Sequence, residues 1–309
     1  MKNFILCLLA LVLITDSSSA QRRYKRNNKS KAQSITFGIG ATNFLGELGG
    51  ANRIGSKKIS IRDFDFPSIR PNINIGYHYQ FHKQWAAKAE INAAFIGGHD
   101  RLTEELYRNN RNLNFRTPII ELSGRMEYIL NFKKKGQQYK LGIRGWRNID
   151  IKGFFFAGLA GFYFDPRGKL DGQWYRLKPQ STEGQGIVPT RNKYSNFQIA
   201  IPMGLGIRYA VNKTWTLCLE YGTRWTFTDY IDDVSLTYVD YDALRAAKGD
   251  LAVQLSNPSP TASDPSNYLY NSTLAGQQRG DPRDKDSYMF ISLSVQYKLG
   301  RGYSPKLRF

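Results

Sequence analysis

The chain has 309 residues, a formal charge of +19, 14% aromatic residues, 28 glycines and two cysteines. Cys7 falls within an N-terminal apolar run expected to be removed, which leaves Cys218 alone and excludes an intramolecular disulfide framework. No later apolar run is long enough for a membrane-spanning helix, so any crossing of a bilayer must use strands.

Residues 1–20 read as a secretory signal peptide: Lys2, an apolar run over 4–14, and small residues Ser18-Ser19-Ala20 at the cleavage point. Cys7 precedes most of the apolar run, the wrong place for a lipid anchor. Residues 21–33 form a basic, polar arm with Arg22, Arg23, Lys25, Arg26, Lys29 and Lys31. A first strand is expected over 34–43, followed by a Gly-rich loop. The second, 68–81, alternates cleanly: Ile69, Ile73, Ile75, Tyr77 and Tyr79 face one way, Arg70, Asn72, Asn74 and His78 the other. After a turn at His82-Lys83-Gln84, a third strand runs over 85–96 with Lys88, Glu90 and Asn92 on its polar face.

A long polar loop over 97–114 leads to a fourth strand, 115 to about 132, where Glu121, Ser123, Arg125 and Glu127 alternate with apolar residues. A basic connection, 133–152, precedes a fifth strand, 153–164, which is apolar on both faces and leaves its register open. A Gly- and Pro-containing loop fills 165–194. Strands six and seven form the most regular hairpin of the chain, 197–227. Its apolar face carries Ile199, Leu205, Leu217 and Leu219, and its polar face carries Arg208, Glu220 and Arg224. The longest loop, 229–286, is followed by an eighth strand, 288–299, and a tail, 300–309.

These features predict an all-β fold: an eight-stranded antiparallel transmembrane β-barrel over 34–299, with long extracellular loops and short periplasmic turns. The arm, the tail and both termini then lie in the periplasm, and the location is the cell outer membrane. Inward positions collect Lys88, Glu90, Glu121, Arg125, Glu127, Arg208, Glu220 and Arg224. A barrel of this width has room only for side chains, so an ion-paired interior is expected. Nearly all of the positive excess falls on the periplasmic side. Lys133, Lys134, Lys135, Lys140, Arg144 and Arg147 are its densest cluster and the expected partner-binding face. Such a face attracts an acidic protein, anionic lipid head groups or another polyanion. No nucleic-acid-binding motif accompanies it.

Catalytic chemistry is sparse. His99-Asp100 has no serine placed beside it, and Asp229, Asp232, Asp233, Asp240 and Asp242 do not follow a calcium-loop spacing, so surface acidity is the expected explanation. Thr182-Glu183-Gly184-Gln185-Gly186 lacks the lysine and glycine spacing of a phosphate loop. No catalytic, cofactor-binding or metal residue is expected. The chain is expected not to be an enzyme.

Five stretches, in order, carry a resemblance: Phe44-Leu45-Gly46-Glu47-Leu48-Gly49-Gly50; Phe156-Ala157-Gly158-Leu159-Ala160 running to Asp165-Pro166; Thr182 to Gly186; Ile201-Pro202-Met203-Gly204-Leu205-Gly206; and Thr228-Asp229-Tyr230-Ile231-Asp232-Asp233-Val234-Ser235 followed by Tyr238-Val239-Asp240. Together they resemble the PorG-type outer-membrane β-barrel proteins of the type IX secretion system of gliding and pathogenic Bacteroidota. The resemblance implies association with a periplasmic ring built by a PorK-like lipoprotein and a PorN-like protein. It supplies no catalytic residues. The expected function is a non-enzymatic barrel that sits in outer-membrane lipid and anchors or organises a protein-secretion complex. The alternative is a narrow channel for small solutes.

Overall fold

The computed structural model describes residues 32–48, 68–131 and 151–299. The signal segment, the basic arm, the tail and the cluster Lys133, Lys134, Lys135, Lys140, Arg144 and Arg147 lie outside the described residues. In chain order the elements are β1 (Ala32–Leu45), β2 (Arg70–Gln80), β3 (Trp85–His99), a short helix α1 (Leu106–Arg111), β4 (Asn114–Asn131), β5 (Ile151–Phe164), β6 (Arg167–Leu170) and β7 (Gln173–Arg176). Then come β8 (Phe197–Ala210), β9 (Trp215–Thr226), helices α2 (Tyr241–Lys248) and α3 (Asp250–Ser256), and β10 (Ser287–Leu299).

Eight of the strands pair antiparallel in the order β1-β2-β3-β4-β5-β8-β9-β10, and β10 returns to β1, so the sheet closes on itself. Closure gives every barrel strand two neighbours and leaves no open edge. That is the condition for a sheet to sit in hydrocarbon, where no water can take up a spare N–H or C=O. The remaining pair, β6 and β7, forms a small hairpin attached to the start of β4 through Arg116 and Arg167.

The alternation read from the sequence decides which face is which. Ile39, Leu122 and Leu159 point outward and are 67%, 62% and 66% exposed, while Glu121 and Glu127 on the intervening positions are fully buried. A water-soluble barrel has the opposite arrangement; apolar outside and charged inside is the arrangement of a barrel that crosses a bilayer. Aromatic pairs mark both edges of the band. Trp85 with Tyr128 (5.0 Å) and Trp215 with Tyr297 (4.8 Å) lie at one end, and Tyr163 with Phe197 (5.0 Å) at the other.

The start of β1 lies beside the end of β10 and the end of β2, and β4 ends and β5 begins at that same end. The short turns between β2 and β3 and between β8 and β9 are there too. The connections after β1, β3, β5 and β9 leave from the opposite end.

β5, whose register the sequence left open, places Phe154, Phe156, Phe162 and Phe164 inward and Phe155 and Leu159 outward. Glycines on its neighbours make that possible. A Cβ on Gly206 would lie 2.4 Å from the Phe154 ring, and one on Gly204 or Gly222 would lie 2.7 or 2.6 Å from the Phe156 ring. Inward aromatic rings thus fill the volume that missing side chains leave.

Three local expectations change. β3 continues to His99, so the His99-Asp100 pair sits at a strand end and not within a free loop. The segment 165–194 carries the β6–β7 hairpin, whose turn Asp171-Gly172 adopts the left-handed backbone at both residues. The segment 229–286 contains α2, capped by Asp240 through the N–H groups of Asp242 and Ala243, and then α3.

Candidate functional site: a charged lumen beneath a folded cap

Inside the barrel the polar faces of six strands meet in two groups of buried charge. Lys88 Nζ lies 3.1 Å from Glu90 and 3.2 Å from Glu220. Arg125 is the hub: it pairs with Glu90 at 3.3 Å, with Glu127 at 3.2 Å, and with Glu220. Arg208 pairs with Glu127, whose carboxylate also lies 3.2 Å from His78 Nε2. Toward the long-loop end, Glu121 is held by Arg224 (3.3 Å), by Asn92 Nδ2 (3.1 Å) and by the Tyr288 hydroxyl (2.7 Å).

The three arginines are also pinned flat on aromatic rings. Arg125 lies 4.1 Å from the Phe156 centroid, Arg208 4.0 Å from Phe154 and Arg224 4.0 Å from Phe290. A cation over a ring face gains attraction while staying dry. This explains two of the inward rings of β5: Phe154 and Phe156 are the floor on which the Arg208 and Arg125 guanidinium groups rest. A small cavity lined by Glu90, Arg125, Glu220 and Arg224 has room for about one water. Of the eight residues expected in the interior, Lys88, Glu90, Arg125, Glu127, Arg208 and Glu220 form one interlocked set, and Glu121 with Arg224 forms a second pair toward the long-loop end. Arg70, at the mouth, is half-buried and donates to the Ile69 carbonyl.

Above this network the barrel is stoppered by apolar side chains. Phe44, Ile96, Phe115, Ile119, Phe162, Phe164 and Phe290 from the strands pack with Ile231 and Val234, which come from the loop after β9. That loop is tied down from several directions. Thr117 Oγ1 donates to the Ile231 carbonyl (2.7 Å), and the Ile231 N–H donates to Asp286 (2.9 Å). Asp232 accepts from the N–H groups of Val234 (3.0 Å) and Leu48 (3.2 Å). Asp233, in the left-handed backbone region at φ 66°, accepts from the Tyr194 hydroxyl (2.7 Å) and from Thr182.

A second layer of buried charge locks the outer loops together. Glu183 receives Arg279 Nη1 at 2.9 Å and the Ser235 N–H at 2.9 Å, while Arg279 also donates to the Asp233 carbonyl at 2.6 Å. Arg111 grips Asp100 with two donors at 2.7 and 2.9 Å, and it also reaches the carbonyls of Glu47 (3.2 Å) and Arg279. The long loops are thus a folded cap with an interior of its own.

The expectation of surface acidity is overturned here. Asp229, Asp232 and Asp233 are buried, and only Asp240 and Asp242 face solvent. Burial, then the nearby carboxylates, pushes Asp232 up to about 8 and Glu47 up to about 9. Asp286 is raised for the same reasons, and burial brings Asp229 and Asp233 up to about 6. Arg111, Arg279 and Asp286 were not singled out by sequence reasoning, and Asp100, Glu183 and Glu47 were named there without the buried pairings they make. One signal was available for the loop: Ile231 and Val234 interrupt an acidic run at a spacing that a solvated loop does not need. The partners 50 to 180 residues away left no trace in the local pattern.

Residues 181–252 match the family described as Domain of unknown function (DUF6089). The matched stretch runs from the Glu183 turn through β8 and β9 into the cap. No curated protein sequence matches the chain. Among solved structures it is similar to Ail, the attachment invasion locus protein of Yersinia pestis, at 8% identity and a TM-score of 0.37, covering 87% of this chain and 99% of that one. It is similar to Neisserial surface protein A at 10% identity and a TM-score of 0.34, covering 87% and 96%. The outer membrane protein OprG of Pseudomonas aeruginosa follows at 8% identity and a TM-score of 0.32, covering 87% and 96%.

Proposed function

We propose that the chain is a non-enzymatic outer-membrane barrel that anchors or organises a type IX protein-secretion complex, meeting a PorK-like lipoprotein and a PorN-like ring through its basic periplasmic face. The observation that carries this reading is the filled lumen. The ion-pair network occupies the barrel's width, and the Ile231–Val234 stopper closes its long-loop end. A barrel so filled works through its rims and not through its bore. The secretion role itself rests on the PorG-type resemblance. Three of the stretches that carry it, around Glu47, Glu183 and Asp232, meet inside the cap. The alternative, a narrow solute channel, would need a continuous wet path through this packing.

The test is co-purification from detergent-solubilised outer membrane with Lys133→Glu, Lys134→Glu and Lys135→Glu combined. The ring proteins should be lost while the barrel still inserts and keeps its heat-modifiable gel mobility. Undiminished recovery of the ring would refute the proposed contact, and a steady current from the purified barrel in a planar bilayer would favour the channel.

A further inference from the structure

We propose that Glu47, Asp232 and Asp286 form a binding site for one divalent cation of the calcium class, which staples the cap to the barrel mouth. The three side chains come from the turn after β1, the loop after β9 and the entry to β10. One carboxylate oxygen from each lies within 4.8 Å of the others. Oxygens bound to a single calcium ion at about 2.4 Å can be at most about 4.8 Å apart, so the spacing suits one ion.

The second observation is an oxygen without a partner. Asp286 is fully buried; its Oδ2 accepts the Ile231 N–H, and its Oδ1 has no hydrogen-bond partner. That oxygen faces the turn carrying Glu47, since a Cβ on Gly46 would lie 2.4 Å from it. Glu47 repeats the pattern: one oxygen accepts the Asp281 N–H at 2.6 Å and Oε2 has no partner. A buried acceptor left unsatisfied is costly, and two within one cluster of carboxylates more so.

Among the described residues Arg111 offsets part of the charge on Glu47 and Asp232, but its donors are committed to Asp100 and to the carbonyls of Glu47 and Arg279. Backbone N–H groups hold Asp232 from both sides, which fixes its carboxylate without supplying charge. Three hard oxygen donors, pre-positioned by backbone hydrogen bonds and short of positive charge, select a hard dication over a thiophilic metal. Calcium's tolerance of irregular geometry suits ligands gathered from three loops better than magnesium's octahedron. This inference does not depend on the secretion role.

The experiment is calorimetric titration of chelator-washed, full-length barrel with calcium chloride in zwitterionic detergent near neutral pH. Binding of one calcium per chain is expected, with magnesium weaker by about tenfold or more. A rise of about 5 °C in cap unfolding at saturating calcium should accompany it. Asp286→Asn and Asp232→Asn should each weaken binding by tenfold or more, and Asp284→Asn, an exposed acid nearby, should leave it unchanged. Gel mobility reports whether each barrel is folded. If one ligand variant does not fold, the other decides. No saturable binding to the wild type up to about 10 mM calcium, or binding that survives both ligand substitutions, would overturn the proposal.

Discussion

Arg125→Met is the most informative single perturbation of the lumen. Arg125 touches three carboxylates, Glu90, Glu127 and Glu220, and is only 4% exposed. At an effective dielectric of about 20, each contact near 3.3 Å is worth about 5 kcal/mol before desolvation is subtracted. Most of that gross attraction offsets the cost of burying the guanidinium. Removing the cation alone therefore costs what the stranded carboxylates lose, about 3–5 kcal/mol. Methionine fills similar volume over the Phe156 ring, so packing changes little. Adding Glu220→Gln should recover part of the loss, because the double variant no longer leaves that carboxylate uncompensated. The assay is urea unfolding in lipid vesicles followed by tryptophan fluorescence. A loss below about 1 kcal/mol for Arg125→Met would refute the reasoning, since it would mean that water or protons already neutralise the carboxylates.

Other outcomes follow from the same geometry. Gly206→Ala places a methyl 2.4 Å from the Phe154 ring and 2.8 Å from the Leu219 carbonyl; a loss of about 1–3 kcal/mol is expected in the same unfolding assay. Arg279→Met removes the partner of buried Glu183, so the cap should become sensitive to limited proteolysis within 229–286 while the barrel stays folded. The buried acids of the cap give a pH dependence of defined sign when divalent cations are chelated. Glu47 (about 9), Asp232 (about 8) and Asp233 (about 6) hold protons in the folded cap that an unfolded chain releases near pH 4. The folded state binds more protons across that window, so cap stability should fall as pH rises from about 4 to about 9. Protection from protease at several pH values measures it, and a cap that becomes more resistant on raising the pH would contradict the burial of these groups.

The barrel was legible because its signal is local. Strand β2 alternates Ile73, Ile75 and Tyr77 with Asn72, Asn74 and His78, and a two-residue period needs no knowledge of what lies across the sheet. The same period told which charges face inward, Lys88 and Glu90 on β3, Arg125 and Glu127 on β4. β5 was ambiguous because both of its faces are apolar for different reasons: Leu159 meets the surroundings of the barrel, while Phe154 and Phe156 support arginines contributed by β8 and β4. The cap was illegible for a related reason. An aspartate in a polar, proline-containing stretch reads as solvated, and nothing near Asp232 announces Leu48 or Asp286 as its neighbours.

The sequence by itself determined a closed antiparallel barrel with a charged inner face, since periodicity and strand length depend only on residues adjacent along the chain. Only the tertiary structure decided which carboxylate meets which cation, and that the longest loops fold into a stopper with buried acids. Those pairings join residues far apart in the chain, and their energies depend on distances and on the exclusion of water, which no stretch of sequence carries on its own.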